Sequence, residues 1–314
     1  MLALVTGGAG FIGSNLVDAL LARGDDVVVI DDLSSGFREN LEGAASAELL
    51  ISDIRDGEAV AAITDRVRPD VIIHLAAQMD VRRSIAEPGL DLATNAGGTL
   101  NMLAAARDAG VRRFVNVSTG GAIYGEAQVM PAPEDHPTVP DAPYGVSKRA
   151  AELYCGVHSR LYGTSTVSLR LGNVYGPRQN PRSEAGVIAI FCGCLVRGET
   201  ARIFGDGGQT RDFVFVEDIV AALLAAAEGE QTGAFNIGTG AATSMVELAA
   251  QLDRLAEGEG GFKPVHEAER LGEIRQIALD ATRAADELGW SSRVELASGL
   301  ERTLAWVRAH PERA

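Results

Sequence analysis

The 314-residue chain is poor in aromatic residues, nearly free of cysteine and without any excess of positive charge. Phe, Trp and Tyr make up 5% of it, so Ala, Val, Leu and Ile carry the core of a sequence that is 46% hydrophobic. Cys155, Cys192 and Cys194 are the only cysteines. Their number is too small and too odd for a disulfide framework, and no zinc-ligand spacing joins them. Reduced cysteines of a cytoplasmic protein are expected. Lys and Arg total 28 against 43 Asp and Glu, a formal charge of −15. This excludes adhesion to nucleic acid or to anionic membranes through bulk charge. Any anionic ligand must be held by a local cluster of cations and amides. No apolar run approaches the ~20 residues that span a bilayer. Gly7, Gly8, Gly10 and Gly13 interrupt the first apolar stretch, so no secretory leader is expected in residues 1–30.

What is present begins with those glycines. Met1 to Thr6 is an apolar run expected to form a buried strand, and Ser14 to Arg23 has helical periodicity through Leu16, Val17, Leu20 and Leu21. Val27 to Ile30 is a second strand ending at Asp31 and Asp32. The turn between strand and helix fits both G-x-G-x-x-G (Gly8, Gly10, Gly13) and G-x-x-G-x-x-G (Gly7, Gly10, Gly13). Side chains at these positions would keep a pyrophosphate away from the amides at the helix N-terminus, where the helix dipole favours its charge. Asp31 lies 18 residues past Gly13, where a carboxylate can accept from a ribose hydroxyl and would repel a 2′-phosphate. The pattern therefore points to NAD.

Strands and helices go on alternating. A strand at 48–51, a helix at 57–67, an apolar strand at 71–77 ending in small residues, a helix at 95–109 and a strand at 111–117 follow. The last runs into Ser118-Thr119-Gly120-Gly121, with hydroxyls placed where open α/β sheets bind ligands. His74 has no partner at metal spacing and is expected to be packed. Pro143-Tyr144-Gly145-Val146-Ser147-Lys148 opens a further helix, expected to be capped by Asp141, with Tyr144 and Lys148 on one face. A cation beside a phenol favours the phenolate, which makes the pair a candidate base. Beyond residue 171 the alternation loosens into shorter elements. The expected fold is a Rossmann-type doubly wound parallel α/β sheet in residues 1–170, with a segment near 213–240 returning to it. A smaller α/β substrate-binding domain is expected mainly in residues 171–314.

Taken together the motifs resemble an extended short-chain dehydrogenase/reductase of the nucleotide-sugar epimerase branch, the UDP-glucose 4-epimerases. The resemblance rests on T-G-G-A-G-F-I-G at 6–13, H-L-A-A at 74–77, S-T-G-G-A-I-Y-G at 118–125, P-Y-G-V-S-K at 143–148, L-R-L-G-N-V-Y-G-P-R-Q at 169–179, F-G-D-G-G-Q-T-R-D-F at 204–213 and F-N-I-G-T-G at 235–240. It implies that Tyr144 is the acid/base and that Lys148 lowers its pKa and holds the nicotinamide ribose. It implies further NAD contacts at Gly7, Gly10, Phe11, Ile12, Gly13, Asp31, Asp32, Asp53, Ile54, Leu75, Ala76, Ala77 and Asn95. Thr119, Tyr144, Asn173, Val187, Phe204, Arg211 and Arg270 would bind a UDP-hexose. Relatives are commonly homodimers built on the helices read here at 95–109 and 144–158.

The resemblance implies C4 oxidation, turnover of the 4-keto sugar and re-reduction on its other face. Dehydratases need carboxylates directly after the strand-end threonine, and Thr119-Gly120-Gly121-Ala122 has none. UDP-GlcNAc or UDP-glucuronate epimerases, decarboxylases and a non-catalytic NAD or nucleotide-sugar sensor stay open at this level. Ile277 falls near a position that controls access of N-acetylated sugars, and its bulk favours UDP-glucose and UDP-galactose. One departure stands out. The family usually carries a hydroxyl where this chain has Gly120, and Thr119, or else Ser118, is expected to stand in.

Overall fold

In a computed structural model of the chain, residues 1–181, 186–256, 261–269 and 274–313 are described. The first half alternates as the apolar periods dictate. It runs β1 (Leu2–Thr6), α1 (Phe11–Ala22), β2 (Asp26–Asp31), β3 (Glu48–Ile51), α2 (Gly57–Val67), β4 (Val71–His74), α3 (Val81–Ala86), α4 (Pro88–Leu92), α5 (Gly98–Asp108), β5 (Arg113–Thr119), α6 (Gly120–Ile123), α7 (Pro143–Tyr162) and β6 (Ser165–Leu171). Shorter elements follow: β7 (Asn173–Tyr175), α8 (Val187–Arg197), β8 (Arg202–Phe204), β9 (Thr210–Arg211), β10 (Phe213–Phe215), α9 (Val216–Glu228), β11 (Gly233–Ile237), β12 (Thr243–Ser244), α10 (Met245–Leu255), β13 (Val265–Glu267), α11 (Thr282–Leu288) and α12 (Leu296–Ala309).

Seven strands form one parallel sheet in the order β11-β6-β5-β4-β1-β2-β3. The order reverses between β1 and β4, which opens a crevice at their C-terminal ends. Both faces are covered, which is why the central strands read as continuous apolar runs. Leu16, Val17 and Leu20 of α1 and Ile219, Leu223 and Ala226 of α9 cover one face, and Val60 of α2 with Met102, Leu103 and Ala106 of α5 cover the other. A separate core joins α8, α10 and α12 to the β7-β10 pair through Phe191, Phe215, Leu248 and Leu304. Thus β11 and α9 belong to the large sheet although they come after β7 to β10.

Local details differ from the sequence reading. The helix expected to start at Asn95 starts at Pro88 and passes through one π turn, Ala93–Gly97, before α5. Gly98 lets it lie against Ile54, since a Cβ there would be 2.5 Å from Ile54 Cδ1. The strand at 71–77 stops at His74 because Leu75 to Ala77 leave the sheet at the crevice. Asp141 does not cap α7: the N-cap is Ala142 with no side-chain cap, and the Asp141 carboxylate faces Gly125 instead. Pro143 takes the first turn as expected. The segment read as a loop at 257–263 lies partly outside the described residues.

Candidate active site

The glycine turn sits at the mouth of the crevice. Gly7 has φ +71, and a Cβ on it would meet the Ala76 backbone nitrogen at 2.8 Å. A Cβ on Gly13 would lie 2.1 Å from the Gly7 carbonyl oxygen, so α1 can start against the turn only at a glycine. Gly8 is different, for its Cβ would strike the Val29 side chain at 2.6 Å. Gly7 and Gly13 are thus required by backbone packed against them, and Gly8 by the Val29 side chain of β2. Asp31, at the end of β2, accepts from the Ala9 amide at 2.9 Å and the Leu33 amide at 2.9 Å. Burial holds its carboxyl above the usual range against those two bonds. Asp32 is exposed and accepts from the Ser34 amide and hydroxyl. Phe11 and Ile12 open α1, and both pack partly against the C-terminal core. Leu75, Ala76 and Ala77 line the opposite lip, where Ala76 donates to Thr6 Oγ1. Asp53 pairs with Arg55, whereas Ile54 points into the core under Gly98. The bare turn, the amide-rich helix start and the carboxylate at the end of β2 fit a dinucleotide with a free ribose 2′-hydroxyl.

The tyrosine and lysine stand on the first turns of α7, at the edge of the same crevice. Tyr144 is half-buried, with the Thr119 side chain at the end of β5 near its hydroxyl. Burial pushes the phenol up to about 12, and the Thr119 side chain works in the opposite direction. Lys148 is buried, which pushes its ammonium down to about 8, opposed by the Glu152 carboxylate and then by Cys155 and Asp91. Burial disfavours the charged form of both groups. Ser118 points the other way, next to Glu152. Glu152 is held by a fully enclosed pair with Arg170 (2.9 Å), which also donates to Tyr124 Oη.

Sequence reading missed the polar brace under this pair. Asp91, buried in α4, accepts from Ser147 Oγ at 2.5 Å, Gln78 Nε2 at 2.9 Å and Asn95 Nδ2 at 3.1 Å. Asn95 sits in the π turn, donates to the Gln78 carbonyl and Ser147 Oγ, and accepts from the Gln78 amide. The Asn95 side chain therefore fixes α7 to the crevice lip. The one local signal was the four-residue spacing of Asp91 and Asn95.

The remaining candidates approach from the second half. Asn173 begins β7; its amide donates to the Asp212 carbonyl, and its Oδ1 is 3.5 Å from where a Gly121 Cβ would be. Thr119 Oγ1 is 3.9 Å from the same point, so Asn173 and Thr119 flank one bare stretch of backbone. Arg211 in β9 donates to the Thr210 and Ile274 carbonyls. Phe204 ends β8, half-buried, with its carbonyl accepting from Gln209. Val187 starts α8 and packs against the C-terminal core. Arg270 lies outside the described residues. Ile277 is fully enclosed with Ile123, Tyr124, Ala132 and Leu279, so its side chain serves packing. His74 is packed, as expected, between Thr6 and Thr99.

A parallel sheet with a glycine turn at its switch point, and a Tyr-x-x-x-Lys pair beside that turn, define a dinucleotide-dependent enzyme of the short-chain dehydrogenase/reductase class. Within that class, the model of the NAD dependent epimerase/dehydratase family matches residues 3–238, and the chain belongs to that family. It is 45% identical over 316 residues to the UDP-glucose 4-epimerase of Mycolicibacterium smegmatis, covering 98% of this chain and 99% of that one. It superposes with a TM-score of 0.95 on a Thermotoga maritima UDP-glucose 4-epimerase crystallised with UDP-glucose, at 44% identity and 99% coverage of both chains. A Thermus thermophilus UDP-glucose 4-epimerase in complex with NAD gives 0.92, at 39% identity over 98% of this chain and 99% of that one.

Proposed function

We propose that this chain interconverts UDP-glucose and UDP-galactose by inverting carbon 4 of the hexose. The observation that carries the reading is Tyr144 four residues before a buried Lys148 on α7, facing a strand end that has no carboxylate after its threonine. A dehydratase would need such carboxylates for the further proton transfers at carbons 5 and 6. Bound NAD would supply the two-electron oxidation and re-reduction at carbon 4. Gly7, Gly10, Gly13 and Asp31 would hold its adenosine half, and Lys148 the second ribose.

The chain's own work is proton management and anchoring. Tyr144, as the phenolate, takes the proton of the sugar 4-hydroxyl, directly or through Thr119 Oγ1, and returns it after the hexose has presented its other face. Lys148 stabilises the phenolate while the proton is away. Such turnover requires a nucleotide held firmly and a hexose held loosely. Asn173 and Arg211 supply donors for the diphosphate, and Phe204 and Val187 a surface for the uridine. Residues 1–170 with the returning segment near 213–240 thus serve the cofactor, and residues 171–314 mainly the nucleotide sugar. The three free, buried cysteines suit the cytoplasm. The exposed apolar side chains on α7 support a homodimer.

The test is incubation of the purified protein with UDP-galactose without added cofactor. Formation of UDP-glucose, with no other product, is expected. Tyr144→Phe should lower turnover by about 10²-fold or more and leave NAD content and UDP affinity unchanged. A variant that turns over normally would remove the phenol from the mechanism.

A further inference from the structure

We propose that Leu279 is a positioning residue for the proton relay: by filling the space against Gly120 it makes Thr119 the hydroxyl that β5 presents to Tyr144. This rests on the reading of Tyr144 as acid/base and goes beyond it to a residue that touches neither substrate nor cofactor.

Gly120 follows Thr119 directly and opens α6. Its backbone lies outside the left-handed region, so conformation does not demand a glycine there. Space does. A Cβ on Gly120 would lie 2.4 Å from Leu279 Cδ1 and 2.6 Å from Cδ2. The next glycine shows the contrast, because a Cβ on Gly121 would meet nothing closer than Asn173 Oδ1 at 3.5 Å.

Leu279 cannot swing aside. It is fully buried, clustered with Ile123, Tyr124, Ala132 and Ile277. On its other flank a Cβ on Gly238 would lie 2.7 Å from Leu279 Cβ. Its main chain is stitched on both sides: the Leu279 amide donates to Asp212 Oδ2 at 3.0 Å, Ala132 donates to the Ala278 carbonyl, and Asp280 donates to the Ala132 carbonyl. Asp212 also accepts from the Thr239 amide, the Thr239 hydroxyl and the Gly240 amide, while its carbonyl accepts from the Asn173 amide. Leu279 is thus a wedge on a rigid mount, set between the loop that carries Arg211 and the end of β5. A side chain at 120 would have to move the start of α6, and Thr119, the residue before it, would turn with it. Ser118 is buried and, one residue before Thr119 in β5, projects to the opposite face of the strand, so it cannot replace Thr119.

The test combines kinetics and stability on the full chain. Leu279→Ala should lower kcat for UDP-galactose about tenfold while KM changes less than about twofold, and Leu279→Met, which conserves volume, should keep most of the activity. In a Thr119→Val background Leu279→Ala should cost nothing further, because it acts through Thr119. Additive losses, or a rise in KM at unchanged kcat, would overturn the role of Leu279. A second arm does not depend on activity. Gly120→Ala should lower the thermal midpoint of the parent protein, and should lower that of the Leu279→Ala protein by clearly less, since the methyl then has room; equal losses in the two backgrounds overturn the steric wedge. A parent protein inactive on UDP-galactose would overturn the epimerase reading, and the relay role with it. An active parent with additive losses would overturn the role of Leu279 alone.

Discussion

His74 stands at the end of β4, in the floor of the crevice, yet its surroundings keep it from charging. Thr99 Oγ1 donates to the Asn95 carbonyl at 2.6 Å, so it accepts from His74 Nε2–H at 3.1 Å. Thr6 Oγ1 accepts from the Ala76 amide and donates to His74 Nδ1 at 2.7 Å. These partners assign the neutral Nε2–H tautomer. Burial, and then the nearby Lys148, push the imidazole down to about 3. The folded protein therefore stays neutral at His74 between about pH 6.5 and pH 3, while the unfolded chain takes up a proton. The contribution to stability is full above pH 6.5, is lost as pH falls through that window, and amounts to a few kcal/mol at about 1.4 kcal/mol per unit. His74→Gln, which keeps a donor and an acceptor, should be less stable than the parent at pH 7, with the difference shrinking toward pH 4 in urea titrations. A difference that stays constant with pH would mean that His74 does not titrate on unfolding.

At the scale of elements, the first strand, turn and helix were legible because all their determinants lie within about 30 residues. The glycine assignments nevertheless needed the structure, since two overlapping patterns shared Gly10 and Gly13. Space now separates them. Gly13→Ala would drive a methyl into the Gly7 carbonyl and should abolish cofactor retention together with 1–3 kcal/mol or more of stability. Gly8→Ala meets only the Val29 side chain, and should lower stability by about 1–3 kcal/mol while the protein still purifies with NAD. Cofactor content and thermal melts decide; loss of NAD in both variants would restore Gly8 to the binding turn. The brace beneath Tyr144 was not legible, because Ser147 and Asp91 meet across 56 positions. The choice between Thr119 and Ser118 was open for the same reason. It turns on how the backbone leaves β5, and Leu279, far along the chain, sets that. The N-cap of α7 failed differently: Asp141 has the right residue type, but Ala142 takes the cap position and the Asp141 carboxylate lies against Gly125.

At the scale of the whole molecule, α7 carries two faces of unlike purpose. Gly145, Ser147, Lys148, Ala151, Glu152 and Cys155 are buried toward the sheet and the crevice. Val146, Leu153, Val157 and Leu161, spaced by seven, four and four, form a stripe on the far side, and Leu161 is 66% exposed. Tyr154 and Tyr162 widen it, and Leu92 and Leu100 of the neighbouring helices extend it. Exposed apolar side chains grouped on one helix face are a candidate docking surface. A chain of net charge −15 gains no attraction from a like-charged copy, so association must come from apolar burial at this stripe. In the homodimer proposed above, two α7 stripes would pack antiparallel about a twofold axis. Leu153→Glu with Leu161→Glu should convert a dimer into a monomer in sedimentation velocity at micromolar concentration. Because Tyr144, Lys148 and Thr119 belong to one chain, the monomer should keep its NAD. A parent protein that sediments as a monomer, or a double variant that remains dimeric, would remove α7 from the interface.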